Sequence, residues 1–488
     1  MADVNTISHD PEKRAYHDAR SDSPDVAVGK IDSFEDREVF KQGADVEFRT
    51  VSWVMATVIM LKVIFATGVL SIPVAMSSLG AVGGALSVIG WGGLNTYTAL
   101  IQGDFRNNHG GCHSIADMAN EVGGVVLQEL TGFLFIVAYV LCTGSGILGV
   151  SIGLNALSHH AACTVWWAFL AYVVVAACAS VRKFEKFGWL TCKYALLRPS
   201  ELLLMLLLGA GFISIFTAVF IVVIAVTLRD RPAAAPATGD YDLGYYAIAY
   251  PTFAGGMVAS CTIFVSSAGT SAFLPVISEM RRPQDYRKSL FVCMAIVNAA
   301  YLSFSLVVYR WCGKWVASPS LGSAGQTIKM VAYGIGLIGL VVSAALYLHV
   351  AAKYCFVRIL RNTRHLQENT IVHWGTWLGL TFGLASISFI LAEAIPVFNY
   401  LLALTGSICF APLAIALPGW LWMHDHKPWM KGSAFQQVAF WLHAALIPLG
   451  IFMCIGGTYG VIEVIIQAYA AGTIGSAFSC ADNSNSSH

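Results

Sequence analysis

Ala66-Thr67-Gly68-Val69-Leu70-Ser71-Ile72-Pro73 lies deep inside the first apolar segment of the chain, and Ser266-Ser267-Ala268-Gly269-Thr270-Ser271-Ala272-Phe273-Leu274-Pro275 lies inside the sixth. Each stretch puts glycine and small polar residues in the middle of an apolar run, with a proline shortly after. A membrane helix interrupted there frees backbone N–H and C=O groups that hydrocarbon cannot satisfy. Such a break is tolerated where it lines a cavity. Two of them, in corresponding positions of two halves, point to a substrate site in a secondary transporter.

The composition agrees with a membrane protein. Of 488 residues, 57% are hydrophobic and only 12% charged, against roughly 25% charged in soluble domains. The net charge of +1 gives no bulk basic signal for nucleic acid. No signal peptide is visible in the polar first 50 residues. The 12 cysteines are scattered, mostly in apolar segments and without metal-binding spacing. They read as small buried hydrophobes, and no metal or cofactor is expected.

Charge-free stretches locate the spans, since a crossing needs about 20 apolar residues. Between Arg49 and Asp104 the only charge is Lys62, leaving room for two helices around Ser78–Gly84. Residues 130–181 carry no Asp, Glu, Lys or Arg and hold two more, split near Ser158-His159-His160. A fifth precedes Arg229, and later spans fit 243–278, 289–309, 330–352, 369–392, 397–420 and a segment beginning near Phe435. The count is eleven. With a cytoplasmic N-terminus and alternating loops, the inside segments hold 23 of the 29 Lys and Arg, as the positive-inside rule requires. The C-terminus then falls outside.

The reading divides the chain into a disordered cytoplasmic tail over 1–48, a transmembrane domain over 49–472 and a short outer tail over 473–488. Residues 481–488 are expected to be disordered, and the sequon at Asn485-Ser486-Ser487 is a weak site for glycosylation. Two readings stand for residues 192–211. One is a long tilted fifth helix with a cytoplasmic extension. The other is a retained intron, because Cys192-Lys193-Tyr194 and Ala210-Gly211 can be encoded across splice-donor and splice-acceptor sequences.

The motif from Lys62 through Thr67-Gly68-Val69-Leu70-Ser71-Ile72-Pro73, followed by Leu79-Gly80, resembles the amino acid/auxin permease family. So do Phe273-Leu274-Pro275 with Glu279-Met280-Arg281-Arg282-Pro283, and Ile395-Pro396 with Thr405-Gly406 and Leu417-Pro418. Within that family the chain is similar to fungal neutral amino acid permeases of the methyltryptophan-resistance type. The resemblance implies an all-α, leucine-transporter-like fold. Helices 1–5 and 6–10 would form a five-plus-five inverted repeat with helices 1 and 6 broken, and helix 11 would be an addition.

The expected ligand is an amino acid zwitterion. Free N–H groups and positive dipole ends at half-helix N-termini suit its carboxylate, and freed carbonyls suit its ammonium. Thr67, Gly68, Val69, Leu70 and Ser71 are the candidates on helix 1, and Ser266, Ser267, Ala268, Gly269 and Thr270 on helix 6. Tyr139 on helix 3 is placed either to close over the substrate or to pack in the core. Only Lys62 carries charge near the breaks, which favours a neutral amino acid. Lys62, Glu279, His349 and Glu393 are the candidates for ion coupling, with Lys62 alternatively snorkelling or pairing with Glu279 or a carbonyl. The fungal resemblance implies a proton as coupling ion; sodium is the alternative, although no set of oxygen ligands identifies a site for it.

The leading function is therefore import of neutral aliphatic or aromatic amino acids by proton symport with alternating access, at the plasma membrane. A vacuolar exporter or exchanger and a non-transporting nutrient receptor are the alternatives. An enzyme would need a clustered catalytic set, which the His and Cys positions do not supply.

Overall fold

The computed structural model describes residues 51–181 and 199–484, apart from 362, 367, 369 and 473, with side chains at all of these except 66 and 199–210. The N-terminal tail, residues 192–198 and the sequon at Asn485 lie outside the described residues.

Thirteen α-helices account for most of the described chain. Their starts follow capping chemistry, in which a side-chain oxygen accepts from an N–H that the first turn leaves unbonded. Ser52 accepts from the N–H of Met55 ahead of α1 (Trp53–Asn108). Ser114 and Asp117 form a reciprocal capping box at the start of α2 (Ile115–Ser158). After α3 (Thr164–Ala179) and α4 (Pro199–Thr227), Thr252 caps α5 (Phe253–Ala268). Then follow α6 (Phe273–Glu279), α7 (Tyr286–Cys312), α8 (Gln326–Leu360) and α9 (Ile371–Ala394), the last capped by Thr370. The chain closes with α10 (Phe398–Thr405), α11 (Leu417–Asp425), α12 (Ala434–Ala444) and α13 (Leu446–Ala470).

A straight helix of 56 residues, the length of α1, would be about 84 Å long, far beyond a bilayer core of about 30 Å. Gly80 divides it, with φ 78° and ψ 168°. The backbone groups opened by this turn are taken up by the segment before α5. Ala81 N–H donates to the Tyr246 carbonyl (3.0 Å), Val82 N–H to Ala247 (2.9 Å), and Ala249 N–H to Leu79 (3.4 Å). A Cβ at Gly80 would lie 2.7 Å from the Ala249 nitrogen, so both the backbone angle and the close approach require glycine.

Among the described residues, seven helices are long and apolar enough to cross a bilayer. The number is eight if Phe398–Phe410 and Pro412–Asp425, bent by 43°, form one span. Trp53–Phe65, Thr164–Ala179 and Gly211–Thr227 are shorter apolar helices. The outer faces are apolar, with Leu86, Val126, Trp166, Phe220, Phe452 and Ile455 all exposed. In water this belt would be an aggregation liability; in lipid it is the solvated surface. The interior is built by α1 against α5 and α7, α2 against α8, and α4 against α8.

Two expectations are corrected here. The first concerns helix 1, which does not break at Thr67–Pro73. Its only non-helical residue is Gly80. Pro73 removes one donor, yet Val69, Leu70 and Ile72 are fully buried, and packing holds the backbone helical. The second concerns two of the cysteines. Cys163 and Cys480 are joined by a disulfide across 317 residues and are not isolated buried hydrophobes.

The same linkage ties down part of the outer tail expected to be disordered. The Thr164 hydroxyl donates to the Ala481 carbonyl (2.6 Å), Asn155 Nδ2 to Asn483 Oδ1 (2.7 Å) and Lys329 Nζ to the Ser484 carbonyl (3.0 Å).

Candidate functional site

At the second stretch the span stays continuous over Phe253–Glu279 but changes its winding. Helix α5 ends at Ala268, residues Gly269–Ala272 form a single 3-10 turn, and α6 resumes at Phe273. Opposite it runs the unbroken stretch of α1, and the two touch at Gly68. A Cβ on Gly68 would lie 2.5 Å from Tyr301 Oη and 2.8 Å from the Ser266 carbonyl oxygen. Gly68 therefore serves close helix contact, where the sequence pattern had implied a helix break.

The carbonyls along this seam are met by hydroxyl groups. Tyr347 Oη donates to the Val63 carbonyl (2.7 Å) and lies 3.2 Å from Thr67 Oγ1. Tyr301 Oη shares its one proton between the carbonyls of Ile64 (2.8 Å) and Ser266 (3.0 Å). Ser71 Oγ and Ser266 Oγ both reach the Gly68 carbonyl, at 2.9 and 3.3 Å. Tyr139, fully buried on α2, reaches the 3-10 turn itself, 3.2 Å from the Gly269 carbonyl and 3.0 Å from Ser271 Oγ. Buried backbone acceptors must be paired, and here side chains from three other helices pair them.

Between these groups lies a cavity of about 20 Å³, room for about one water molecule. Of the eleven expected binding residues, Thr67, Gly68, Tyr139, Ser266 and Gly269 line it. The other six do not. Val69, Leu70 and Ala268 are buried in the packing, and Ser71 bonds Ser266 Oγ at 3.3 Å. Ser267 accepts from Asn95 Nδ2 at 2.8 Å. Thr270 is buried in the 3-10 turn, and its Oγ1 has no hydrogen-bond partner among the described residues.

The rest of the lining was missed by sequence reading: Val63, Ile64, Cys142, Val265, Tyr347, Leu402 and Phe410. Phe410 ends a π-helical segment, Gly406–Phe410, which is followed by a second, Pro412–Ala416. Such segments are frequent at functional sites. Gly406 and Pro412 were the available signal. Nothing in the sequence around Tyr347 distinguishes it from other tyrosines in apolar helices.

No charged side chain lines this cavity. Lys62, 4% exposed, lines a neighbouring space with Phe65, Phe212, Ile215, Val342 and Ser343. Glu279 is engaged by Lys353 at 3.1 Å. His349 is buried with Nδ1 3.2 Å from the Ala179 carbonyl and its ring edge-on to Trp377. Glu393 is buried, and its carbonyl accepts from the N–H of Phe478 at 3.3 Å. None of the four lines the cavity.

The family described as transmembrane amino acid transporter protein matches residues 49–463. The chain belongs to that family. Two fungal proteins described as transmembrane transporters are similar along almost their whole length. One, from Gibberella moniliformis, is 50% identical over 94% of each chain. The other, from Fusarium pseudograminearum, is 49% identical over 95% of this chain and 93% of its own. An N amino acid transport system protein of Neurospora crassa is 25% identical over 94% of this chain and 95% of its own. Among solved structures, MhsT in complex with L-phenylalanine is similar with a TM-score of 0.51 at 10% identity, covering 86% of this chain and 98% of that one. At that identity the likeness concerns fold alone, and it places this amino acid transporter family member in the leucine-transporter-like, all-helical class.

Proposed function

We propose that this transporter carries neutral amino acids, aliphatic or aromatic, into the cell by proton symport with alternating access. One observation carries the reading: a charge-free cavity where α1, the 3-10 turn after α5, Tyr139 and Phe410 meet, ringed by main-chain carbonyls and hydroxyl groups. Carbonyl oxygens suit an ammonium group, and the hydroxyls beside them suit a carboxylate. Neutral partners disfavour a substrate carrying a third charge, since an unpaired charge is costly in this setting. Thr67, Gly68, Tyr139, Ser266 and Gly269 are the proposed contacts, joined by Tyr347 and Phe410. A cavity of about 20 Å³ must widen to admit an amino acid, and parting Gly68 from Ser266 would widen it. MhsT was crystallised with L-phenylalanine, and the Neurospora relative is described as an amino acid transport system; both support an amino acid ligand.

The proposed topology has eleven spans, with helices 1–5 and 6–10 as inverted repeats and the N-terminus in the cytoplasm. Gly80 divides α1 into spans 1 and 2, the α5–α6 pair is span 6, and α12 with α13 is span 11. The Cys163–Cys480 disulfide supports this arrangement. Both cysteines then fall on the outer, oxidising side of a plasma-membrane protein.

Radiolabelled uptake in a transport-deficient cell tests the reading. The expected result is uptake competed by neutral amino acids, not by lysine or glutamate, and abolished by a proton uncoupler. Uptake indifferent to the uncoupler would overturn proton coupling; competition by charged amino acids would overturn the substrate class. Lys62 is assigned a structural role. Transport retained at lowered expression in Lys62→Met supports that role, and loss of proton dependence overturns it.

A further inference from the structure

The chain leaving α1 meets the end of α11. His109 Nε2 lies 2.7 Å from Asp425 Oδ1, and His424 Nδ1 lies 3.5 Å from the same oxygen. The three donor atoms all fall within 4.8 Å of one another. We propose that His109, His424 and Asp425 bind one divalent transition-metal ion of the zinc class.

Two imidazole nitrogens and one carboxylate oxygen form the ligand set of an open zinc site, with water in the fourth position. Bonds of about 2.0–2.1 Å in a tetrahedral shell put donor atoms roughly 3.4 Å apart. The two separations from Asp425 straddle that value, so the site closes around an ion with small side-chain movements. Among the described residues His424 Nδ1 is buried and makes no hydrogen bond, which leaves its lone pair available beside the carboxylate. His109 accepts the ion at Nε2 by taking its Nδ1–H tautomer.

The surroundings hold the ligands in place. The His109 ring stacks on Phe105 at 4.0 Å, and Asn108 Nδ2 contacts Asp425 Oδ2 at 3.4 Å. Outer partners of this kind orient metal ligands. The three side chains are 28%, 26% and 17% exposed, which leaves a hydrated ion a way in. A bound ion would tie the end of α1 to α11, the helix that continues from the π-helical segments beside the cavity.

The test is titration of the purified full chain, free of any histidine tag, with Co²⁺ as spectroscopic probe. The expected result is one Co²⁺ per chain with the visible absorption of a tetrahedral ion, displaced by Zn²⁺. Affinity should fall at least about tenfold in His424→Ala and in Asp425→Asn. His109→Gln, which keeps a polar contact to Asp425, serves as the variant least disturbing to folding, and should weaken binding similarly. Zn²⁺ should raise the melting temperature of the native chain and not of the His109→Gln/His424→Ala pair. Absence of stoichiometric binding would overturn the proposal and leave a hydrogen-bonded latch. Equal affinity in the native chain and the paired variant would overturn it by placing the ion elsewhere.

Discussion

The Tyr139 hydroxyl donates to the carbonyl of Gly269 across 3.2 Å. One side chain of α2 thereby satisfies a backbone acceptor released where α5 gives way to the 3-10 turn. The ring is fully buried, edge-on to Phe410 and tilted against Phe135. Tyr139 is both a packing residue and a polar contact to the 3-10 turn.

Tyr139→Phe keeps the ring and removes the bond. One such hydrogen bond is worth about 1 kcal/mol of stability, so stability in thermal unfolding should fall by that order, and a shift in the substrate concentration for half-maximal uptake would show that the contact also shapes the site. Unaltered uptake kinetics would count against a role at the site.

Gly68 and Gly269 should separate cleanly. Alanine at Gly68 meets Tyr301 Oη and the Ser266 carbonyl at 2.5 and 2.8 Å. Overpacking of this kind costs about 1–3 kcal/mol, so Gly68→Ala should lose thermal stability and uptake together. Gly269 has φ −67°, and no heavy atom lies within 4 Å of an added Cβ. Gly269→Ala should therefore fold normally, within about 0.5 kcal/mol, so that a loss of transport in it acts at the site and not through the fold. Thermal unfolding measured beside uptake decides this; equal loss of stability in both variants would refute the distinction.

Glu279 closes the end of α6 through Lys353 Nζ at 3.1 Å. Its backbone does the same through the Val51 N–H, which donates to the Glu279 carbonyl at 3.0 Å. Glu279→Gln keeps an oxygen acceptor and loses only the charge, and should cost about 1 kcal/mol or less. Adding Lys353→Met should cost less than the sum of the single changes, because the two residues share one interaction. A double-mutant cycle on thermal unfolding measures that coupling.

Cys163 and Cys480 give a chemical test of topology. On intact cells, a membrane-impermeant thiol reagent should label the chain only after mild reduction, and Cys163→Ser/Cys480→Ser should abolish that labelling. Labelling that requires permeabilised cells would reverse the proposed orientation.

Much of the architecture was legible along the chain. A bilayer demands long charge-free runs, and these placed the helix boundaries near Gly80, Ser158 and Phe435, where α1 turns, α2 ends and α12 begins. The change from α-helix to a 3-10 turn at Gly269 was legible too, because glycine and small polar neighbours weaken a helix there. The equivalent stretch at Thr67–Pro73 misled. Glycine in a helix signals either a break or a close contact, and which one depends on what lies opposite; here it is Ser266 and Tyr301.

Local residue order thus determined the membrane class, several helix boundaries and one side of the cavity, since apolar length and breaker chemistry act within a single segment. The remainder was decided by tertiary structure. Tyr347 and Phe410 in the cavity wall, Cys163 with Cys480, and His109 with Asp425 are partners only because helices distant in sequence pack together. Hydrogen bonds, disulfides and ligand sets depend on distances in space, which sequence spacing does not encode across hundreds of residues.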